Sequence, residues 1–265
     1  MRPPSMVTER ATAEARPVPA SVEVWAEASK RTVSYALCDD RRTLLWFANQ
    51  RAVEYHPTLA LATDLDRPTH LVLDLDPPDD GGFAAAVAAA HLVRRALADV
   101  GLAGAVKSSG AKGVHVFVPV VEGTTADDAA SATRAIARRA ELLDPAVATT
   151  AFLKADRDGK VFVDATRTGG ATVAAAYSPR VRPGVPVSLP VPWDELDALV
   201  PGEHTIRTAL ARLGDADPWA ELMPPPQPLP AELVTDGAAI PVARVAAMHE
   251  GKRRARSRSG DAAGS

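Results

Sequence analysis

The sequence has very little cysteine and few aromatic residues. Cys38 is the only cysteine among the 265 residues, which excludes a disulfide framework within this chain and a zinc site made of several cysteines. Aromatic residues make up 5% of the chain, whereas hydrophobic residues, many of them alanine, make up 46%. The chain can therefore bury a core, but one built mostly from small aliphatic side chains.

Long hydrophobic runs and a strong overall charge are also lacking. No apolar run approaches the roughly 20 residues that cross a bilayer, and the N-terminus lacks the charged-then-apolar layout of a signal peptide. We therefore expect no membrane association and a cytoplasmic, nucleoid-associated location. The formal net charge of −3 gives no global argument for nucleic-acid binding, although arginines cluster near the C-terminus.

Composition along the chain predicts three parts. Residues 1–20 are rich in proline and polar residues, which predicts an irregular arm. Residues 21–222 carry regular strand and helix patterns and are expected to form the catalytic domain. Residues 223–265 begin with MPPPQPLP and end in an arginine-serine stretch, which predicts a proline-rich linker and a basic disordered tail.

The centre of the chain alternates strand and helix patterns in one order: strand 70–75, helix 83–100, strands 103–107 and 113–119, helix 125–143 and strand 160–164. This order predicts an α+β fold of the primase-like, split βαβ (RRM-like) kind, with helices packed on one face of an antiparallel sheet. The other face is expected to be free for chemistry. Small additional β elements, including a hairpin of residues 22–26 and 32–37, complete the prediction.

Two carboxylates lie on the first central strand, in the run Leu71-Val72-Leu73-Asp74-Leu75-Asp76. Because side chains alternate along a strand, Asp74 and Asp76 share one face and the leucines enter the core on the other. Neighbouring carboxylates stay ionised readily when cations neutralise them, and such oxygen ligands suit Mg²⁺ or Mn²⁺. A solvated strand end is the alternative interpretation of this motif alone.

A strand that ends in Asp-x-Asp also opens the haloacid dehalogenase-like phosphatases, in which the first aspartate is the nucleophile. Those enzymes usually continue with Gly-Thr or Gly-Val, whereas Pro77-Pro78 follows here. A later acidic pair, which that chemistry also needs, is not convincing in this chain. The phosphatase interpretation is therefore the weaker one.

A glycine-rich segment, KSSGAKGVHV, occupies residues 107–116. Its glycines, hydroxyls and Lys112 in a tight turn offer N–H groups and positive charge to a polyphosphate, although the usual nucleoside-triphosphatase spacing is absent. His115 alternates with two valines and shares a face with Phe117. A plain hairpin with a structural histidine is the alternative.

A third carboxylate, Asp164, closes the apolar strand KVFVD. From the last strand of a split βαβ unit it can reach the same sheet face as Asp74 and Asp76. Three carboxylates on neighbouring strands are a minimal scaffold for two cations, of which one activates a 3′-hydroxyl and the other stabilises pyrophosphate. Farther along, Arg180 could clamp a triphosphate or pair with a surface carboxylate.

With these motifs in order, the chain resembles the polymerase domain of bacterial ATP-dependent DNA ligase D, within the archaeo-eukaryotic primase superfamily. The resemblance rests on LVLDLDPP, SSGAKGVHVFVPV, KVFVDATR and YSPRVRPGVPVSLPVPWDEL, and runs from about Arg41 to about Trp219. It implies DNA or RNA polymerase activity at DNA ends or gaps in non-homologous end joining. It also implies two Mn²⁺ or Mg²⁺ ions as cofactors, NTP or dNTP as substrates, and the Ku protein and a separate ligase as partners.

The resemblance also implies roles for particular residues. Metal binding falls to Asp74, Asp76 and Asp164. Nucleotide binding falls to His56, Ser109, Lys112, His115 and Arg180.

Some features depart from this family. Relatives carry a further stretch of roughly 80 residues before the position of Met1, so we expect a truncated chain, a misassigned start site or a loss of DNA-end recognition. The family's Gln-Asn is replaced by Arg167-Thr168, and a proline before Tyr177 by Ala176. The main hypothesis is an active polymerase, and the alternative is a catalytically impaired relic that binds nucleic acid or repair partners.

Overall fold

The computed structural model describes residues 6–10, 19–26, 30–168 and 171–242. Within them, eleven strands form two sheets. The strands are β1 (Met6–Arg10), β2 (Ser21–Ala26), β3 (Arg31–Cys38), β4 (Ala60–Leu61), β5 (Asp64–Pro68), β6 (His70–Asp76), β7 (Ala105–Ser108), β8 (Val114–Pro119), β9 (Ala148–Thr149), β10 (Val161–Asp164) and β11 (Pro190–Val191).

Six α-helices and three short 3-10 helices connect these strands in the described residues. The α-helices are α1 (Arg41–Asn49), α2 (Gly82–Ala98), α3 (Ala126–Leu143), α4 (Ala209–Leu213), α5 (Pro218–Leu222) and α6 (Ala231–Ala239). The 3-10 helices are Lys154–Asp156, Leu196–Ala198 and Pro201–Glu203.

The central sheet confirms the predicted split βαβ order. Its strands lie in the order β11-β7-β8-β6-β10-β9, and β6, β7, β8 and β10 pair antiparallel with their neighbours among themselves. Helix α2 connects β6 to β7, and α3 leads from β8 toward β10. The chain is therefore α+β, with two short strands added at the edges of the predicted four.

One face of this sheet is sealed by α2 and α3. Leu71, Leu73 and Leu75 are completely buried there, and burial of each such side chain contributes about 1.5–3 kcal/mol. Small residues on both helices let them approach the sheet closely. Thr125 caps α3 by accepting a hydrogen bond from the Asp128 N–H at 3.1 Å.

The opposite face is not entirely free, which corrects the prediction. Val72 and Phe117 lie under a small apolar cluster with Leu59 and Val173, against which Trp219 packs. Because this cluster occupies one end of the face, space for chemistry remains at the other end, where the aspartates lie.

The N-terminal prediction is wrong in one respect. Within the predicted irregular arm, Met6–Arg10 forms a strand that pairs antiparallel with β3. The second sheet has the order β2-β3-β1-β4-β5, and β2 and β3 form the expected hairpin. The prolines that suggested an irregular arm lie outside β1, so they do not interrupt its pairing.

The C-terminal prediction is also wrong in part. In the predicted linker, the Gln227 side chain exchanges two 2.8 Å hydrogen bonds with the backbone of Ala103. Helix α6 packs against α3, and a Cβ on Gly237 would meet the Ser131 carbonyl oxygen at 1.8 Å. Glycine thus permits a close helix contact that proline-rich composition could not indicate. Residues 243–265, with the predicted basic tail, lie outside the described residues.

No described helix has both the length and the apolar character needed to cross a membrane.

Candidate active site

Four ionisable side chains form a line across the central sheet, at the end of the face that the apolar cluster leaves uncovered. Register places Lys107 on β7 opposite His115 on β8, His115 opposite Asp74 on β6, and Asp74 opposite Asp164 on β10. We call these four residues the row. All of them are buried, with at most 8% of any residue exposed. Since backbone pairing fixes each position, the row is a rigid feature of the fold.

Side-chain contacts join three of the four row residues, Asp74, His115 and Lys107. The Asp74 carboxylate lies 3.2 Å from Nε2 of His115. Nδ1 of the same ring lies 2.8 Å from Nζ of Lys107, which also donates to the Ser188 hydroxyl at 2.6 Å. A hydrogen-bonded chain therefore runs from the acidic centre into the protein interior.

The third carboxylate, Asp76, lies two residues after Asp74 on the same strand face, opposite Phe162 in the register. Burial raises the pKa of Asp76 to about 6, and the negative charges of Asp74 and Asp164 add to this shift. The positive charges of Arg167 and Arg157 oppose this shift without cancelling it.

Arg167 supplies positive charge between the two paired aspartates. Its Nε and Nη2 lie 3.1 Å from Oδ2 of Asp74, and Nε lies 3.2 Å from Oδ2 of Asp164. Burial opposes ionisation of Asp74, but contacts with His115, Arg167 and Lys107 outweigh it and hold the Asp74 pKa at about 2. Burial and the nearby Lys107 lower the pKa of His115 to about 4, so His115 is a neutral donor at neutral pH and Arg167 is the fixed charge.

Local structure explains how Arg167 reaches this place. Asp164 Oδ1 accepts a 2.8 Å hydrogen bond from the Thr166 N–H, which turns the chain after β10. Thr168 is buried and accepts from the Val72 N–H at 3.1 Å. Thr168 thus anchors the loop to β6, and Arg167 directs a guanidinium at the carboxylates.

The residues present fit a hard divalent cation by their chemistry. Asp74, Asp76 and Asp164 are oxygen donors on adjacent strands, and like charge already disfavours ionisation of Asp76. Within the described chain, however, no three His, Cys, Asp or Glu side chains converge into a ready-made metal site. The Arg167 guanidinium lies where a positive charge is needed, so cations would have to replace it there.

The glycine-rich turn joins β7 to β8 beside the row. The Ser109 hydroxyl accepts hydrogen bonds from the N–H groups of Ala111 and Gly113, at 3.2 and 3.1 Å. Gly110 has φ +71°, and a Cβ there would lie 2.6 Å from Cγ of Arg180 and 2.8 Å from the Ser188 nitrogen. Only glycine permits both this turn and the close approach of Arg180.

Three residues predicted to bind the nucleotide lie on loops around the row: Lys112, Arg180 and His56. We call them the rim. Lys112 is exposed and pairs with Asp79 at 2.6 Å. The structure therefore places Lys112 at the mouth of the site, farther from the protein interior than the row.

A carboxylate that sequence reasoning missed connects the other two rim residues. Glu54 lies 3.0 Å from Nε2 of His56 and 3.3 Å from Nε of Arg180. Arg180 also donates to the Ser109 carbonyl oxygen, so it links Glu54 to the glycine-rich turn. The position of Glu54 two residues before His56 was the only available signal.

Lys107, Arg167 and Ser188 were also missed as site residues. Lys107 lies in KSSGAKGVHV and Arg167 follows the strand KVFVD. The register of β7 with β8 brings Lys107 close to the carboxylates, and the hydrogen bond between Thr168 and β6 brings Arg167 there. Ser188 is 81 residues away from Lys107 in sequence. It reaches Lys107 because it lies just before β11, which pairs with β7 at the sheet edge.

Comparison with known proteins connects this geometry to a family. A model described as LigD, primase-polymerase domain, matches residues 4–219. The chain belongs to the LigD primase-polymerase domain family. The match confirms the resemblance, extends it into the N-terminal segment, and leaves the phosphatase alternative without support.

Individual LigD relatives agree. The chain is 35% identical over 175 residues to the multifunctional non-homologous end joining protein LigD of Pseudomonas aeruginosa, covering 64% of this chain and 21% of that protein. It is 33% identical over 182 residues to the bifunctional non-homologous end joining protein LigD of Bacillus subtilis, covering 68% and 30%. The chain thus spans under a third of the length of these two relatives.

A solved structure also matches. The polymerase domain from Mycobacterium tuberculosis ligase D, in complex with DNA, has a TM-score of 0.72 and 30% sequence identity, with 83% of this chain and 85% of that chain covered. The fold of this chain is therefore that of a LigD polymerase domain.

Proposed function

We propose that this chain is a metal-dependent nucleotidyltransferase that extends DNA ends or fills gaps during non-homologous end joining. The observation that carries this proposal is the pairing of Asp74 with Asp164 across adjacent strands, with Asp76 on the same face. Membership of the LigD family and the likeness to a polymerase domain in complex with DNA support it.

The three carboxylates would hold two Mn²⁺ or Mg²⁺ ions. When bound, such ions activate the attacking 3′-hydroxyl and stabilise the leaving pyrophosphate. The task of the protein is to keep Asp74 and Asp164 fixed by strand pairing and Asp76 close enough to ionise fully once cations arrive. Arg167 would then move off the carboxylates, to where it can meet phosphate charge.

The substrates in this proposal are an NTP or dNTP and a primed DNA end or gap. The triphosphate would bind at the glycine-rich turn, where Ser109, Lys112 and His115 lie. Arg180, which donates to the Ser109 carbonyl oxygen of that turn, and His56, which Glu54 joins to Arg180, would contact it from beside the turn. Ku and a separate ATP-dependent ligase are the proposed partners for end recognition and joining.

Nucleotide incorporation on primed, gapped DNA with Mn²⁺ tests the proposal. We expect incorporation by the natural chain and none by Asp74→Ala. Asp236→Ala is the matched control, because Asp236 lies on α6 and pairs with Arg139, away from the row. Failure of the natural chain to incorporate any nucleotide, with an N-terminally extended version equally inactive, would contradict the proposal.

A catalytically impaired relic that binds nucleic acid is the second candidate. The observation that favours it is the Arg167 guanidinium, which occupies the space between Asp74 and Asp164. In that case the chain binds gapped DNA, as measured by fluorescence anisotropy, but does not incorporate nucleotides. Incorporation by Arg167→Gln alone would identify Arg167 as the cause of the impairment.

A further inference from the structure

Lys107 is the largest completely buried side chain in the described residues. Burial of a lysine is costly and lowers its pKa, here to about 7, with Asp74 opposing the shift. No step of the proposed reaction uses this amine directly. Its partners explain why it lies there.

The neighbours of Lys107 determine which hydrogen bonds its Nζ donates. The Ser188 hydroxyl donates its proton to the Ser108 carbonyl oxygen at 2.8 Å, so it must accept from Nζ. The Lys107 amine also lies 5.5 Å from the centre of the Phe117 ring, which favours a positive charge there. The remaining polar neighbour of Nζ is Nδ1 of His115, at 2.8 Å.

The two ends of the His115 ring therefore have different partners. Nζ of Lys107 has N–H groups to donate whether it is an ammonium or a neutral amine, so it suits an acceptor at Nδ1 of His115. The Asp74 carboxylate only accepts, so the facing Nε2, 3.2 Å away, carries the ring proton. Both contacts select the same tautomer.

Of the two contacts of the His115 ring, only that with Lys107 would persist throughout the proposed reaction. The proposed role of Asp74 turns its oxygens toward a cation, which weakens its hold on the ring. Lys107 has no such second role and lies on the interior side of His115. We propose that Lys107 is a positioning residue that holds His115 in the orientation and tautomer with the Nε2–H directed at the acidic centre.

The consequence rests on the proposed function: His115 keeps a donor ready for a triphosphate oxygen when Asp74 binds metal. Residues that orient a group contacting the metal or substrate typically change activity 10–100-fold when lost. The tautomer itself, however, is measurable without nucleotide or DNA.

Long-range ¹H–¹⁵N NMR of histidine-labelled protein tests the inference. His115 is assigned from the signals lost in His115→Asn, and Mg²⁺ is the metal because it is diamagnetic. We expect an acceptor-type Nδ1 and a protonated Nε2 in the natural chain, with and without Mg²⁺. A proton on Nδ1 would overturn the inference, whatever the polymerase activity.

Lys107→Met tests the role of the amine, and Lys30→Met, in the turn between β2 and β3, is the matched control. With Mg²⁺ present, Lys107→Met should lose the single-tautomer pattern, and its kcat/KM should fall about 10–100-fold; the control should change neither. Unchanged NMR signals in Lys107→Met overturn the inference, with or without a loss of activity.

Two further outcomes are distinguishable. If the natural chain shows the expected tautomer and Lys107→Met loses it, but no variant incorporates nucleotides, the proposed function fails and the positioning role stands. If Lys107→Met does not fold, Ser188→Ala replaces it. Ser188→Ala removes the hydroxyl that holds Nζ and should weaken the His115 pattern in the same direction; an unchanged pattern overturns the inference.

Discussion

The row and the rim serve one proposed reaction but are held in different ways. Row residues project from paired strands, are buried, and take their spacing from the hydrogen-bond register. Rim residues lie on loops, are more exposed, and are held by side-chain contacts such as that of Lys112 with Asp79. Rigid backbone thus places the groups that need exact spacing, whereas the loops carry charges that can adapt to a ligand.

The largest expected effect is a difference between a row variant and a rim variant in kcat. Asp164→Ala should lower kcat by about 10³-fold or more, because a metal ligand would be lost. Lys112→Ala should mainly raise the nucleotide KM, because a positive charge for the triphosphate is lost. The fold should change little, since the exposed pair of Lys112 with Asp79 contributes little to stability. Steady-state incorporation kinetics measure kcat and KM. Equal losses of kcat in the two variants would remove the distinction.

A substitution of Gly110 tests whether the position of Arg180 in the rim depends on its close approach to the glycine-rich turn. In Gly110→Ala, the new Cβ conflicts with Arg180 and the Ser188 backbone, so nucleotide affinity should fall about 10-fold through displacement of Arg180. Gly101→Ala is the control, since Gly101 has φ +73° but nothing within 4 Å of a Cβ. Both variants have the same backbone strain, so equal nucleotide affinity would contradict the steric explanation.

Arg167 sharpens the comparison because it is a loop residue that enters the row. Without metal, Arg167→Met should lower the free energy of unfolding by about 1–3 kcal/mol, since charge-assisted hydrogen bonds to Asp74 and Asp164 are lost. Millimolar Mn²⁺ should reduce this deficit if cations take the place of the guanidinium. Urea unfolding with and without Mn²⁺ measures it. Arg139→Met, which breaks a remote pair with Asp236, should show no dependence on Mn²⁺.

The smallest expected effect is a pH dependence from Asp76. Its pKa is higher in the folded chain, about 6, than the ordinary 3.8, so the folded state binds this proton more tightly. The free energy of unfolding therefore falls as pH rises from about 4 to about 6, and the deficit remains above pH 6. Asp76→Asn removes the charge and should gain about 1–2 kcal/mol over the natural chain across this window.

Urea unfolding in EDTA at several pH values measures the Asp76 effect. Comparing the variant with the natural chain cancels the opposite contributions of His70 and His115, whose pKa values burial lowers to about 4. The exposed carboxyl group of Asp79 gives the control variant Asp79→Asn, which should show no such gain. A gain for Asp76→Asn that does not grow with pH would contradict the proposed charge crowding.

Sequence patterns predicted the central sheet well because alternation and helix spacing are local. The strand containing Asp74 and Asp76 was expected at residues 70–75 and is found at His70–Asp76. The same reasoning failed for Met6–Arg10 and for α6, which are stabilised by a partner strand and a partner helix distant in sequence. Proline content predicts irregular local structure in a segment, but it does not show which distant strand or helix that segment packs against.

The sequence by itself determined the α+β class, the split βαβ order and the face shared by Asp74 and Asp76, because these depend on local periodicity. Only the tertiary structure decided that Lys107 and His115 complete the row, that Arg167 lies between the aspartates, and that Glu54 joins His56 to Arg180. Those relations depend on strand register and loop anchoring between residues far apart in the chain. Such contacts leave no periodic signal in the sequence, since each arises only when the strands pair.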